Sequence, residues 1–283
     1  TYYLSKSMFQ FEENGKEYLH FENTQKSLYD IVIFDIENQQ IAKRIPLHKT
    51  GPNGLPAVYG SRPSPDSKQI LISQNNIGRL STINNQGEVV HNYPVKTPEG
   101  RFTTFFFCSY YNAPAFVKDS CIFLNQSIFK PNMKREDWPQ THMFASQNLK
   151  TGKFEWVPIF YPPIFKEEYE NIDGGYGFSY DYNYKENRLV CGFFGYDSLM
   201  VTDDLKHIRW YNAKSKYLKS MKPKLGNAMA GINSIIEFCE APMYWHIMYD
   251  KYRDVYYRFA EMPYKLASNE SPYDEPKGKE FSI

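Results

Sequence analysis

Short apolar runs of β-strand type, separated by polar turns, dominate this chain. Five such runs, rich in β-branched and aromatic residues, each follow a polar turn, and the unit recurs every 52 to 67 residues. Short runs of β-branched and aromatic residues predict β-strands, and turn residues between the runs predict antiparallel hairpins. We therefore expect five strands in corresponding positions of successive units. They cover residues 17–21, 69–73, 121–125, 188–193 and 255–259.

The residues after each run extend the same unit. Each of the first four runs is followed by a second β-type run, a polar turn and a further run; the turns lie at 37–39, 84–87, 149–152 and 203–205. Four-stranded meanders that stack on their neighbours are typical of a β-propeller. A β-sandwich would show strands every 8–12 residues without the longer period. Helical candidates are limited to about one turn each, at 163–169 and 214–221.

We therefore predict an all-β fold, a β-propeller of four-stranded antiparallel blades, in a single domain over residues 1–283. About five blades are present. Phe281-Ser282-Ile283 would be the third strand of the fifth blade, so the last blade is expected to be incomplete. An incomplete ring would leave unpaired strand edges and an apolar face of the first blade, including Ile31 and Ile33, in need of a partner.

Several segments resemble a known family of bacterial proteins. These segments are 45–47, 51–54, 65–67, 83–87, 248–259 and 277–283. Together they are similar to domain-of-unknown-function family 4221, the six-bladed, TolB-like propellers of the Bacteroidetes envelope. The resemblance implies a lipoprotein exported to the cell envelope, in the periplasm or lipid-anchored at the outer membrane. It also implies a six-bladed ring whose last part is missing here, and it brings no catalytic residues.

Charge and hydropathy exclude several classes of protein. Lys and Arg number 33 against 32 Asp and Glu, so a net charge of +1 offers no electrostatic footprint for nucleic acid. No run approaches the roughly 18 uninterrupted apolar residues of a membrane helix. The first residues do not form a signal peptide, so a lipid anchor, if present, would lie upstream of the given sequence. Disorder, collagen and coiled coil are excluded by the 17% aromatic content and the lack of a matching repeat.

The cysteines predict reduced thiols and no metal site. Cys108, Cys121, Cys191 and Cys239 form no C-x-x-C pair, and each lies in an apolar segment. The turn at 118–120 is expected to pair Cys121 with a residue near 116, which would keep Cys108 outside disulfide reach.

The six histidines occur singly, without a second ligand at metal-binding spacing. We expect His91, His142 and His207 to be strand residues. Neither a nucleophile elbow nor a phosphate-binding loop is present. The sequence therefore predicts no metal and no cofactor.

Three glycine-containing segments connect successive blades and carry the candidate binding residues. Glycine permits tight turns, and tyrosine offers a flat apolar ring with a hydroxyl group. These segments are either packed blade junctions or loops at the mouth of the pore that present side chains to a ligand. The candidates are Asn53, Tyr59 and Arg62 after the first blade, Tyr176, Tyr180 and Asp181 before the fourth, and Asn227 before the fifth.

Two functions of different classes follow from this pattern. The first is a non-enzymatic binding or interaction scaffold of the bacterial cell envelope, whose partner is an unknown protein or a small-molecule or glycan ligand. The alternative is a propeller-fold hydrolase or lyase acting on a glycan or small ester at the pore mouth. It would use carboxylates such as Asp173, Asp181 and Glu240, and it requires two of them in one pocket.

Overall fold

A computed structural model describes residues 8–23, 29–58, 60–64, 68–74, 78–95, 106–107, 114–126, 139–162, 178–218 and 242–262. The chain forms two compact units, one of residues 1–132 with 142–160 and one of residues 133–141 with 161–283. Within the ranges given, the regular structure is β-strand, and no α-helix is present.

The first unit contains three antiparallel sheets. The first sheet has the order β1 (Met8–Glu13), β2 (Lys16–Asn23), β3 (Asp30–Asp35) and β4 (Gln40–Pro46). The second has the order β5 (Gly60–Pro63), β6 (Ile70–Gln74), β7 (Arg79–Ile83) and β8 (Val89–Pro94). The third contains β9 (Phe106–Phe107), β10 (Phe116–Lys118), β11 (Cys121–Gln126), β12 (Phe144–Asn148) and β13 (Phe154–Trp156). There β9 and β10 share one edge of β11, so the first strand is interrupted.

The second unit contains a four-stranded sheet and a two-stranded ribbon. The fourth sheet has the order β14 (Phe178–Asn183), β15 (Arg188–Phe193), β16 (Ser198–Thr202) and β17 (Arg209–Asn212). The ribbon pairs β18 (Met243–Asp250) with β19 (Val255–Glu261). A register shift between Tyr244 and Ile247 bends this ribbon.

The predicted repeat is confirmed. The five runs are contained, to within one residue, in β2, β6, β11, β15 and β19, and each is the second strand of its meander. No two of them share a sheet. Four antiparallel blades followed by a partial fifth sheet place the chain in the β-propeller class, as the repeated unit and its long period predict.

Burial decreases from the first to the last strand in the second and fourth sheets, whereas in the first sheet both β1 and β4 are mainly exposed. The first strand β5 is entirely buried and β14 nearly so, whereas the last strands β4, β8 and β17 are mainly exposed. These last strands face water, so their polar residues stay hydrated.

The expectation about Ile31 and Ile33 is wrong. Both side chains are buried in one cluster with Ile70, Ile72 and Ile83 of the second sheet. Residues two apart on a strand point to the same side. The two isoleucines therefore lie on the face of the first sheet that the second sheet covers, and they need no other partner.

The cysteine pairing differs from the prediction in one detail. Cys121 pairs with Lys118, not with a residue near 116. Asp119 and Ser120 have φ of 50° and 62°, which makes a two-residue hairpin turn of the type whose twist matches the strands. Cys121 and Cys191 are free thiols; Cys108 and Cys239 lie outside the described residues.

Other predictions have mixed outcomes. His91 lies in β8 as expected, whereas His142 makes an isolated bridge with Phe160. His207 precedes β17, in a turn where its backbone N–H donates to Asp204. The helical candidate at 214–221 is described only to residue 218 and contains a turn at 216–217. The segments 163–169 and Phe281–Ile283 lie outside the described residues.

Candidate functional site

Asn53 lies in the loop between the first two sheets. Its side-chain oxygen accepts a hydrogen bond from the backbone N–H of Val89 at 3.0 Å. It therefore joins this loop to the last strand of the second sheet. Tyr59, Tyr176 and Asn227 lie outside the described residues, and their roles remain predictions.

Arg62 belongs to a buried polar cluster between the first two sheets. Its guanidinium carbon lies 4.3 Å from the centroid of the Phe9 ring. Beside it, His20 Nε2 lies 2.6 Å from Ser61 Oγ, and the Ser61 hydroxyl donates to the Glu22 carboxylate. Each of the four polar side chains is buried. Arg62 thus lies inside the first unit and not on a loop.

The serine and histidine of this cluster do not form a catalytic relay. In such a relay the serine donates to the histidine and the acid orients the histidine, whereas here Glu22 accepts from Ser61. Burial, with the Arg62 charge as a smaller cause, lowers the pKa of His20 to about 3. A histidine with this pKa is a poor base at neutral pH. The cluster holds two sheets together.

Tyr180 and Asp181 lie within β14, so the predicted loop ends before them. Tyr180 is fully buried and stacks at 5.8 Å on Phe178. One oxygen of Asp181 accepts from the backbone N–H of Tyr249 on β18 at 2.8 Å. Two residues earlier, Ser179 Oγ accepts from the N–H of Ile247, also at 2.8 Å. These side chains attach the ribbon to the fourth sheet.

Two hairpin turns of the second unit lie beside this attachment. In the turn between β14 and β15, Asn183 Oδ1 accepts from the backbone N–H groups of Lys185 and Glu186 at 2.9 and 3.2 Å. Asn187 then takes a φ of 52°. An Asx residue that accepts from the following N–H groups fixes a turn without help from the rest of the fold.

The turn between β18 and β19 repeats this design. Asp250 Oδ1 accepts from the N–H groups of Tyr252 and Arg253 at 2.9 and 3.1 Å, and Asp254 takes a φ of 56°. Lys185 Nζ lies 3.9 Å from Asp254 Oδ2, so the two turns are neighbours. We call residues 182–187 and 249–256 the paired-turn surface.

Tyrosines are the common feature of the paired-turn surface. Tyr182 and Tyr184 pack edge to face with 5.0 Å between centroids, and Tyr249 and Tyr256 lie 4.9 Å apart. Tyr184 is 52% exposed and Tyr252 is 68% exposed. The Tyr249 hydroxyl donates to Asp254 at 2.8 Å, which, with partial burial, raises the pKa of Tyr249. Burial raises the pKa of Tyr256, and the nearby Asp181 charge adds to this.

The charges on and beside this surface are balanced. Arg188 Nε lies 2.9 Å from Asp203, which also pairs with Arg209, and the hydrogen bonds of both arginines lower the pKa of Asp203. Within the paired-turn surface itself, three cations balance three anions: Lys185, Lys251 and Arg253 with Glu186, Asp250 and Asp254. The surface therefore presents tyrosine rings among neutralised charges.

The sequence pattern indicated Asp181 as a candidate but neither Tyr184 nor Tyr252. The available signal was a repeated pattern, an Asx residue followed four residues later by Asn or Asp, with a tyrosine in between. Within the described ranges, no group of three His, Cys, Asp or Glu side chains is placed to hold a metal ion. In the same part of the chain, no helix has the length and apolarity needed to span a membrane.

Comparison with known proteins places these features in context. A family model described as domain of unknown function (DUF4221) matches residues 1–283. A crystal structure of a DUF4221 family member from Bacteroides vulgatus is 82% identical, with a TM-score of 0.90 over 98% of this chain and 77% of that one. A Bacteroides fragilis protein for which export is inferred has a TM-score of 0.56 at 9% identity, over 92% of this chain and 72% of that one, which shows the fold alone. No curated protein matches the chain.

Proposed function

The chain belongs to the DUF4221 family, and we propose that it is a non-enzymatic binding scaffold of the bacterial cell envelope. The observation that carries this proposal is the paired-turn surface. It exposes Tyr184 and Tyr252 on turns that are held by their own Asx residues. Exposed aromatic rings on rigid supports favour binding, because little conformational entropy is lost when a ligand is bound.

The location in the envelope is supported by relatives. Structures similar to this chain come from Bacteroides, and export is inferred for one of them. Anchoring to the membrane by a lipid is part of the proposal. Fractionation of cells producing the protein should find it with the membranes. Recovery with the cytoplasmic proteins would contradict the location.

A screen of ligands tests the binding function. Any compound that binds only the folded state raises the melting temperature. We would screen oligosaccharides, peptides and metabolites against the protein and against the variant Tyr184→Ala/Tyr252→Ala. We expect compounds that stabilise the protein but not the variant. A screen in which the two respond alike to every compound would contradict binding at this surface.

Product analysis distinguishes the proposed scaffold function from the alternative, a hydrolase or lyase. Each stabilising compound would be incubated overnight with the protein and analysed by mass spectrometry. We expect the compound to be recovered unchanged. Turnover of more than one equivalent would show an enzyme instead. The carboxylates Asp173 and Glu240 should then be tested first, because Asp181 already accepts backbone hydrogen bonds.

A further inference from the structure

We propose that the paired-turn surface binds uncharged oligosaccharide chains. This inference rests on the proposed binding function and names its ligand class. It follows from three properties of the surface: the exposure of its tyrosine rings, the polar groups between its two turns and its balance of charge.

The tyrosine rings are placed so that a ligand can reach them without rearrangement of the turns. Tyr182 packs against Tyr184, and the Tyr182 hydroxyl donates to Asn187 at 3.3 Å, so one side of the Tyr184 ring is supported by the protein. Tyr252 has Lys251 Nζ at 5.0 Å from its ring centroid. A pyranose presents a face of C–H groups, which suits the negative face of an aromatic ring.

Polar groups lie between the two turns that carry the rings. The side chain of Lys185 is 77% exposed and that of Asp254 is 51% exposed. Their ion pair is long and hydrated, so it is worth little by itself. An ammonium group donates hydrogen bonds and a carboxylate accepts them, and sugar hydroxyls can do both. Such a pair is therefore able to bind two hydroxyl groups of one sugar residue.

The balance of charge selects against charged ligands. Within the surface three cations balance three anions, so neither a polyanion nor a polycation gains a net attraction; they are Lys185, Lys251 and Arg253 with Glu186, Asp250 and Asp254. A protein partner is less favoured, because protein interfaces are built around desolvated apolar pockets. Here the exposed rings share their turns with Lys185, Glu186 and Arg253, which are exposed as well.

The chain provides a matched control for the tyrosines. Tyr217 is 68% exposed, as Tyr252 is, and it also has the preceding lysine over its ring, at 4.9 Å. Tyr217 comes after the end of β17. The turn at 184–187 lies near the start of β17, because Arg188, which follows this turn, and Arg209, the first residue of β17, both pair with Asp203. Replacement of Tyr217 removes an equivalent ring from the opposite end of the strand.

The test is calorimetric titration with hexasaccharides of glucose (α-1,4, β-1,4 and β-1,3), of mannose and of xylose, with hexagalacturonate as the charged comparison. We expect at least one neutral hexamer to bind with a Kd below about 1 mM. Tyr184→Ala and Tyr252→Ala should each weaken it roughly tenfold, and Tyr252→Phe should keep most of the affinity because the ring is retained. Tyr217→Ala should leave the Kd unchanged. Circular dichroism and melting curves would confirm that the variants are folded.

The outcomes are distinguishable. Equal weakening by Tyr217→Ala, or tighter binding of hexagalacturonate than of every neutral hexamer, would overturn the ligand class. If no neutral hexamer binds while other compounds stabilise the protein through Tyr184 and Tyr252, the inference fails and the binding function stands. If nothing in either experiment binds at these residues, both proposals fail.

Discussion

The guanidinium carbon of Arg258 on β19 lies 3.3 Å from the centroid of the Tyr244 ring on β18. Both side chains lie where the ribbon meets the fourth sheet. The same guanidinium donates to the backbone carbonyls of Asp197 and Ala213 at 2.8 and 3.2 Å, and to those of Phe193 and Tyr196. The Tyr244 hydroxyl donates to the Asp197 carboxylate at 2.8 Å. Burial lowers the pKa of Arg258 to about 10. One side chain thus attaches the ribbon to three parts of the fourth sheet.

Replacement of this arginine should therefore destabilise the protein. Arg258→Lys removes the planar set of donors that serves four part-buried carbonyl groups, which should cost about 2–4 kcal/mol. Arg253→Lys is the control, because Arg253 makes an exposed ion pair with Asp250 and should change stability by less than about 0.5 kcal/mol. Urea denaturation measures both. Equal losses would show that Arg258 does not support the ribbon.

The attachment of β18 to β14 can be tested at one hydrogen bond. Ser179 Oγ accepts from the N–H of Ile247, so Ser179→Ala leaves that N–H without its partner. We expect a loss of about 1–3 kcal/mol and faster hydrogen exchange at the Ile247 amide than in the parent. Ser198→Ala on β16 of the same sheet is the comparison. An unchanged exchange rate at Ile247 would refute this contact.

Alanine substitutions at two glycines distinguish the cost of a strained backbone from the cost of a steric clash. Both Gly15 and Gly87 have positive φ, of 73° and 83°. A methyl group added at Gly87 would lie 1.9 Å from the carbonyl oxygen of Pro46, whereas nothing lies within 4 Å of one added at Gly15. We expect Gly15→Ala to cost about 1 kcal/mol and Gly87→Ala at least about 3 kcal/mol. Similar melting temperatures for the two variants would contradict the close approach of Gly87 to Pro46.

Stability should fall in mildly acidic solution because of His20. Its pKa is about 3 in the folded protein and near 6.5 when exposed, so below pH 6.5 the unfolded chain binds a proton that the folded one does not. Its contribution is fully present above pH 6.5 and is lost as the pH falls toward 3, at up to about 1.4 kcal/mol per pH unit.

The interval from pH 6.5 to 5 is the diagnostic one, since most carboxylates titrate below it. His20→Gln should start from a lower stability and show a flatter pH dependence there. His91→Gln, at an exposed position of β8, should keep the parent's slope. Denaturant titrations at several pH values measure these slopes. If His20→Gln keeps the same slope, the buried histidine is not its source.

The sequence by itself determined the strands, their order and the repeat. The short apolar runs around Ile31 and Ile33 and at 188–193, each next to a polar turn, are local information, because a run of this length between turns is typical of a buried strand. Asx turns such as the one at Asn183 are equally local, since the side chain binds the backbone N–H groups two and three residues later. These features need no distant contact, and the structure confirms them.

Only the tertiary structure decided which face each strand presents and which side chains meet. Ile31 contacts the second sheet, Asp181 accepts from a backbone group 68 residues away, and Arg258 reaches Phe193. A one-residue change of register would reverse every one of these faces. The same long-range pairing placed Tyr184 beside the turn that carries Tyr252. The sequence showed the two tyrosines as unrelated positions, because nothing local specifies contact between turns 68 residues apart.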